Sequence, residues 1–389
     1  MKHLRLLSFA IASSVATVAA ADTIKVGVIG PMSGPSAIVG QSFEWGINAY
    51  VEMNGETVGD HEVEFIFKDL SAVDPAKARA LAQELVVGEG VQYLAGAFYT
   101  PNAMAITPLL ESARTPFVIL NAATSTITQS SPYVLRTSYT MWQNAVPAAL
   151  AAREDGVTRA VTVVSDYAPG HDAEQGFAQT FEAEGGEIVD SIRLPLSTAD
   201  FNPVMQRIKD SGADGVFVFT PAGSPALSFM RAFDGNGLKD AGVSIISTGD
   251  VVTETDLAAM GDPILGIKTT YHYSAAHPSD ENRAFLDAIE ASGGNVDLTS
   301  MFAVAAFDGA KVIYDMIAAT DGAQDPEAAI AAVVGQSWES PRGPVTIDAE
   351  TRHITQNVYV RQVENVDGKL QNTEIGVFEA QPDWGLVER

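Results

Sequence analysis

From Asp22 onward, short β-branched runs alternate with longer stretches of helical periodicity. Ile24 to Ile29 reads as a buried strand, and a helix follows across Ser42 to Met53. Val63, Phe65 and Phe67 alternate with polar neighbours, as in a strand with one wet face. Pro75 opens a helix whose Ala78, Leu81, Ala82, Leu85 and Val86 fall at helical spacing. Tyr93 to Ala95 and Phe117 to Leu120 are further strands, with a helix from Asn102 to Ala113 between them. After Gln143 the pattern restarts. Strands are predicted at Ala160 to Ser165, Glu187 to Arg193, Gly215 to Phe219 and Val243 to Ser247, separated by helices at Ala173 to Glu184, Phe201 to Ser211 and Pro225 to Asn236. Such alternation predicts parallel sheets covered by helices on both faces.

The last third is mixed. Helices at Ser279 to Ser292 and Ser300 to Thr320 precede a Pro/Gly break at Ser340 to Pro344, and Val345 to Ile347, Asn357 to Val363 and Ile375 to Phe378 read as short strands. Two similar blocks therefore lie at 22–141 and 143–272, with a shared tail. The predicted fold class is α/β, two doubly wound parallel-sheet lobes with a cleft between them, where small ligands bind.

Residues 1–21 stand apart from this pattern. Lys2, His3 and Arg5 precede an apolar run from Leu6 to Val18, and Ala19 to Ala21 follow. The run is shorter than the roughly 20 residues a membrane span requires. It reads as an export signal cleaved after Ala20 or Ala21, which places the mature protein in a periplasm.

Charge narrows the partners. With 23 Lys+Arg against 49 Asp+Glu, the net charge is −26. A nucleic-acid partner is disfavoured, because phosphate binding needs a cationic face. Anionic lipid surfaces are disfavoured for the same reason. There is no cysteine, so disulfides, thiol nucleophiles and thiolate metal sites are excluded together.

Several strand ends carry candidate chemistry. In Phe98-Tyr99-Thr100-Pro101-Asn102, Thr100 fits a helix N-cap and Pro101 the first helical position. The N–H groups of that helix start can hold an anion, with the Thr100 hydroxyl adding a donor. Ala122, Ala123 and Thr124 repeat the device at the next strand end, where small residues let a ligand approach the backbone. In open α/β sheets ligands bind at the carboxyl ends of strands. In the second block, Tyr167 can close over an apolar or aromatic ligand, and Asp250 can accept from an ammonium or a hydroxyl, or cap a helix from Val251 to Met260. Tyr139 and Trp142 fit hinge packing or ligand wall equally.

Enzyme signatures are missing. Gly27, Gly30 and Gly34 have the wrong spacing for a dinucleotide fingerprint, and no GxxxxGK[ST], GxSxG or HExxH motif occurs. His272 and His277, five apart, give only a weak metal signal. No catalytic residue, metal or cofactor is therefore assigned.

The opening Asp22-Thr23-Ile24-Lys25-Val26-Gly27-Val28-Ile29-Gly30-Pro31-Met32-Ser33-Gly34-Pro35, followed by Gly40, resembles that of the periplasmic solute-binding proteins of the leucine/isoleucine/valine type. The likeness continues through Asp74-Pro75, Val91 to Gly96, Ala123-Thr124, Arg136-Thr137 and the Ser340 to Asp348 return. It implies the type I periplasmic-binding-protein fold and the role of receptor for an ABC importer, with a membrane permease as partner. It also implies a ligand carboxylate held at Tyr99-Thr100 and Ala122 to Thr124, a second-lobe tyrosine matching Tyr167 or Pro169, and an ammonium held at Asp250. Val39 stands where the family often has an aromatic residue, the family's cysteine pair is absent, and Phe98 and Tyr99 make the first wall unusually aromatic. Those departures count against a branched-chain amino acid.

The expected protein is thus a monomeric, non-enzymatic receptor that closes on a small carboxylate-bearing solute such as an amino acid. The alternatives are an aromatic carboxylic acid or small amide as ligand, a sensing role, or an exported enzyme. Its first lobe is expected to be 22–141 with 274–337, and its second 142–273 with 338–389. The chain should cross between them near Tyr139 to Gln143, His272 to Ala276 and Ser337 to Pro341.

Overall fold

The computed structural model describes residues 22–387, so the export-signal reading of residues 1–21 falls outside it. Its first sheet contains β1 (Thr23–Gly30), β2 (Thr57–Val58), β3 (His61–Asp69), β4 (Tyr93–Gly96), β5 (Phe117–Ile119) and β6 (Val134–Arg136), in the order β2-β3-β1-β4-β5-β6. All neighbours pair in parallel except the β2–β3 hairpin. The second sheet holds β7 (Arg159–Ser165), β8 (Glu187–Leu194), β9 (Gly215–Phe219), β10 (Ser244–Thr248), β11 (Lys268–Tyr271), β12 (Ser337–Ser340), β13 (Gly343–Ile347), β14 (Ile354–Val366) and β15 (Lys369–Gln381). Its parallel part runs β8-β7-β9-β10-β11, the same order as β3-β1-β4-β5-β6. The repeat legible in the sequence is therefore a repeat of topology.

Beyond β11 the second sheet turns antiparallel through β14, β13 and β12, and β15 pairs along β14 around the Asp367-Gly368 turn. The strands predicted at 357–363 and 375–378 are the middles of this long ribbon. Three boundaries differ from expectation. The first long helix starts early, at Ala37, and runs to Asn54. The helix opened by Pro75, with helical spacing expected through Val86, is α-helical only over Pro75–Gln83 and continues as a wider π turn over Glu84–Glu89. Val251 to Met260 is no single helix but a 3-10 turn, Gly249–Val251, and a short helix, Leu257–Met260.

The chain passes from β6 to the second sheet through helix Met141–Glu154 and returns after β11 into helices Asp280–Ala291 and Met301–Thr320. Both returning helices pack on Ala37–Asn54. Met301–Thr320 is almost entirely apolar and buried, which suits the helix at the centre of a unit. The chain then crosses again into β12. That third passage is tied by charge inside the core. Arg342 donates to Asp308 at 2.7 Å, to the Ser138 carbonyl at 3.3 Å and to the Thr137 carbonyl, while Ser340 Oγ and Trp338 Nε1 also donate to Asp308. A buried ion pair survives desolvation only with such additional hydrogen bonds.

Candidate functional site

The carboxyl ends of β4, β5, β7, β9 and β10 converge on a narrow space of about 10 Å³, far below the roughly 300–1,000 Å³ usual for small-ligand clefts, so its facing walls are nearly shut on one another. Phe98, Tyr99, Asn121 and Ala123 line it from the first sheet, and Tyr167, Pro169, Phe219, Pro221, Ala222 and Asp250 from the second. Tyr139 completes the wall from the connecting segment. Five of the predicted site residues (Phe98, Tyr99, Ala123, Tyr167 and Asp250) thus meet across one space. Thr100, Ala122 and Thr124 are buried beside it, flanking Tyr99 and Ala123 in the chain.

The first-sheet end is built from tight turns. Gly96 has φ 115°, and a Cβ there would meet the Ile29 carbonyl oxygen at 2.2 Å, so only glycine fits the chain's departure from β4. Tyr99, not Thr100, is the N-cap of the following helix, Thr100–Ala113, and its side chain makes no capping bond. The reason is that Pro101 is tolerated at either of the first two helical positions, which leaves the cap undetermined by one residue. The shift leaves the Thr100 hydroxyl uncommitted to a cap; it lies 3.4 Å from Thr124 Oγ1. The backbone N–H groups of Tyr99, Thr100, Ala123 and Thr124 reach no acceptor among the described residues. Asn121 Nδ2 donates to the Phe98 carbonyl at 2.9 Å, fixing one strand end to the next, and its Oδ1 is buried without a partner.

The second-sheet end has the opposite character. Asp250 is buried, with Oδ1 accepting from Tyr139 at 2.7 Å and Tyr271 at 3.2 Å and Oδ2 from Thr248 at 2.7 Å. Burial pushes its carboxyl pKa up, and the three hydroxyls oppose that shift. Burial raises the Tyr139 and Tyr167 hydroxyls well above their ordinary range, with the Asp250 charge adding to it. Tyr167 stacks on Phe219 at 6.1 Å, and Phe98 leans on Tyr99 at 4.5 Å, so aromatic surface dominates the space between the two ends.

Behind Thr124 lies a buried polar network. Arg136 donates to the Thr124 carbonyl at 2.7 Å and to His353 Nδ1 at 3.1 Å, and burial lowers its pKa to about 10. His353 pairs with Asp383 at 2.9 Å, and Asp383 accepts from Ser125 and Thr140. Asp172 accepts from the Ser125 N–H at 3.1 Å. Of the two residues left open at the first crossing, Tyr139 is wall, whereas Trp142 packs against Gly176 and Gly385. His277 pairs with Glu374, and His272 stacks on Tyr139, so these two histidines do not converge. The sequence reading missed Phe219, Pro221 and Ala222 as wall residues, and took in Asn121 only as the first residue of the second strand-end segment. Their place at the ends of predicted strands was the available signal for all four.

Two sheets of like topology whose strand ends face one another across a narrow cleft have the type I architecture of solute-binding receptors. A family model described as periplasmic binding protein matches residues 23–369, and the chain belongs to that family, among the non-enzymatic solute-binding receptors of ABC transporters. The Leu/Ile/Val-binding protein homolog 6 of Brucella melitensis biotype 1 is 52% identical over 387 residues, covering 99% of both chains. An ABC-transporter solute-binding protein of R. palustris, solved with 4-hydroxybenzoate, is 58% identical, with a TM-score of 0.94 over 95% of this chain and 100% of its own. Another, from Rhodopseudomonas palustris BisB5 with 3,4-dihydroxybenzoic acid, is 42% identical, with a TM-score of 0.89 over 94% of this chain and 100% of its own. The family's compartment is the periplasm.

Proposed function

We propose that this receptor binds a monocyclic aromatic carboxylic acid of the hydroxybenzoate class and delivers it to the permease of an ABC importer. The observation that carries the reading is the state of Asp250. Its carboxylate already has three hydroxyl donors, so it does not require the ammonium that an amino-acid ligand would bring. The flat walls of Phe98, Tyr99, Tyr167 and Phe219 suit a ring, and two relatives were solved with hydroxylated benzoates.

In this reading the ligand carboxylate lies at the first-sheet end, against the Thr100 and Thr124 hydroxyls and the free N–H groups of Tyr99, Thr100, Ala123 and Thr124. The ring enters between the aromatic walls, which part to admit it, since the space between them is about 10 Å³. Units 22–141 with 274–337 and 142–273 with 338–389 close on it by a hinge motion, after export and removal of residues 1–21. Calorimetric titration with 4-hydroxybenzoate, 3,4-dihydroxybenzoate and leucine tests the reading. Binding of the two aromatic acids supports it, and binding of leucine without them overturns it.

A further inference from the structure

We propose that the Asp250 end of the cavity selects for a neutral hydrogen-bond donor on the far edge of the ligand, a hydroxyl or an amino group, and rejects a second negative charge there. This rests on the aromatic-acid reading above and adds to it the rule by which ring substituents are sorted.

The argument begins with the direction of the hydrogen bonds. Tyr139, Tyr271 and Thr248 all point their hydroxyl hydrogens at Asp250, so none of the three is free to donate to a ligand. A carboxylate offers about four lone-pair positions, and three are taken. What this end still presents is an acceptor.

Among the described residues no cation bonds to it. Arg361 lies over the Tyr271 ring at 4.9 Å, but its bonds go to Glu254, the Tyr273 carbonyl and Thr269. His272, stacked on Tyr139, is held neutral by burial and by Arg342 and Arg361. The remaining wall at this end (Tyr167, Pro169, Phe219, Pro221 and Ala222) brings no charge. A phenolate or second carboxylate placed there would face Asp250 in a water-poor space, where repulsion is far stronger than in bulk water.

The opposite end fixes which way round the ligand sits. It carries unpaired N–H groups at a helix start and the Thr124 hydroxyl, onto which Thr100 Oγ1 donates at 3.4 Å, so donors are available there to an anion. One end thus answers a single negative charge and the other a neutral donor. Ligands with one of each are favoured over ligands with two charges.

The test is a calorimetric series on the intact protein at about neutral pH with 4-hydroxybenzoate, 4-aminobenzoate, benzoate, terephthalate and tetrafluoro-4-hydroxybenzoate, whose phenol is ionised there. The hydroxyl and amino compounds should bind most tightly, with benzoate about tenfold weaker for want of the charged hydrogen bond. Terephthalate and the fluorinated phenolate should be weaker by about a hundredfold. Asp250→Asn, if its melting curve shows it folded, should bring terephthalate to within about tenfold of 4-hydroxybenzoate. The wild-type series decides the matter even if that variant does not fold. Terephthalate binding wild type nearly as well as 4-hydroxybenzoate overturns the charge rule and leaves the aromatic-acid reading standing. Failure of every aromatic acid to bind overturns that reading, and this rule with it.

Discussion

The Tyr139 hydroxyl donates to Asp250 Oδ1 across 2.7 Å, joining the segment that leaves the first sheet to a strand end of the second. Both groups are buried, so the bond cannot be exchanged for one to water. Tyr139→Phe removes the donor and leaves the carboxylate under-satisfied. A loss of about 1.5–3 kcal/mol in unfolding free energy is expected from urea denaturation. An unchanged midpoint would mean that Tyr271 and Thr248 suffice.

Thr100 and Thr124 test the other end. Each hydroxyl is proposed to reach the ligand carboxylate, and each single change to Ala should weaken 4-hydroxybenzoate binding by about tenfold or more, the weight of a charged hydrogen bond. Calorimetry on both variants checks this. Wild-type affinity in both would leave the backbone N–H groups as the whole anion site.

The Arg342–Asp308 pair should behave asymmetrically. Arg342→Met alone strands Asp308, which keeps only the Ser340 and Trp338 donors, and should cost about 3–5 kcal/mol. Adding Asp308→Leu removes the stranded charge and should recover most of that loss. Denaturation of the single and double variants decides it; additive losses would contradict the account.

Asp172 gives a pH signature. Burial raises its carboxyl to about 6 from 3.8, with Asp383 adding to the shift and the Ser125 N–H and Arg136 opposing it. A group more readily protonated when folded binds the extra proton in the native state, so its penalty is full above the folded value. That penalty shrinks as pH falls from about 6 toward the unfolded value. Asp172→Asn should therefore raise the melting temperature most at about pH 8, with the advantage fading below about pH 5. Scanning calorimetry across that range measures it. A variant less stable than wild type at the alkaline end would show that attraction to Arg136 outweighs burial.

The repeat of strands and helices was legible because each βα unit imprints its own hydrophobic period. Two of the shortest strands were not. Val134–Arg136 is too short for a period, and Lys268–Tyr271 has no aliphatic residue to mark it. Of the candidate site, sequence put Phe98, Tyr99, Ala123, Tyr167 and Asp250 at strand ends, and these five line one narrow space, since position in a doubly wound sheet brings such ends together. It left undecided what Asp250 does. Thr248 is two residues away, but Tyr139 and Tyr271 reach it from 111 and 21 residues distant, and no local pattern announces such bonds. The buried arginines 136, 342 and 361 were hidden for a related reason: a charged residue reads as surface until its partners are known.

Asp383 accepts from Ser125 Oγ and Thr140 Oγ1, partners 258 and 243 residues earlier in the chain. Chains are made and fold from the amino terminus onward. The first sheet can therefore assemble while most of the polypeptide is still being made, yet the segment beside Thr124 must wait for almost the last residues before its polar groups are matched. A chain truncated after Gln381 would keep every strand described here and still leave Ser125 and Thr140 without Asp383, so the matching of that segment waits on a residue made 243 or more positions later.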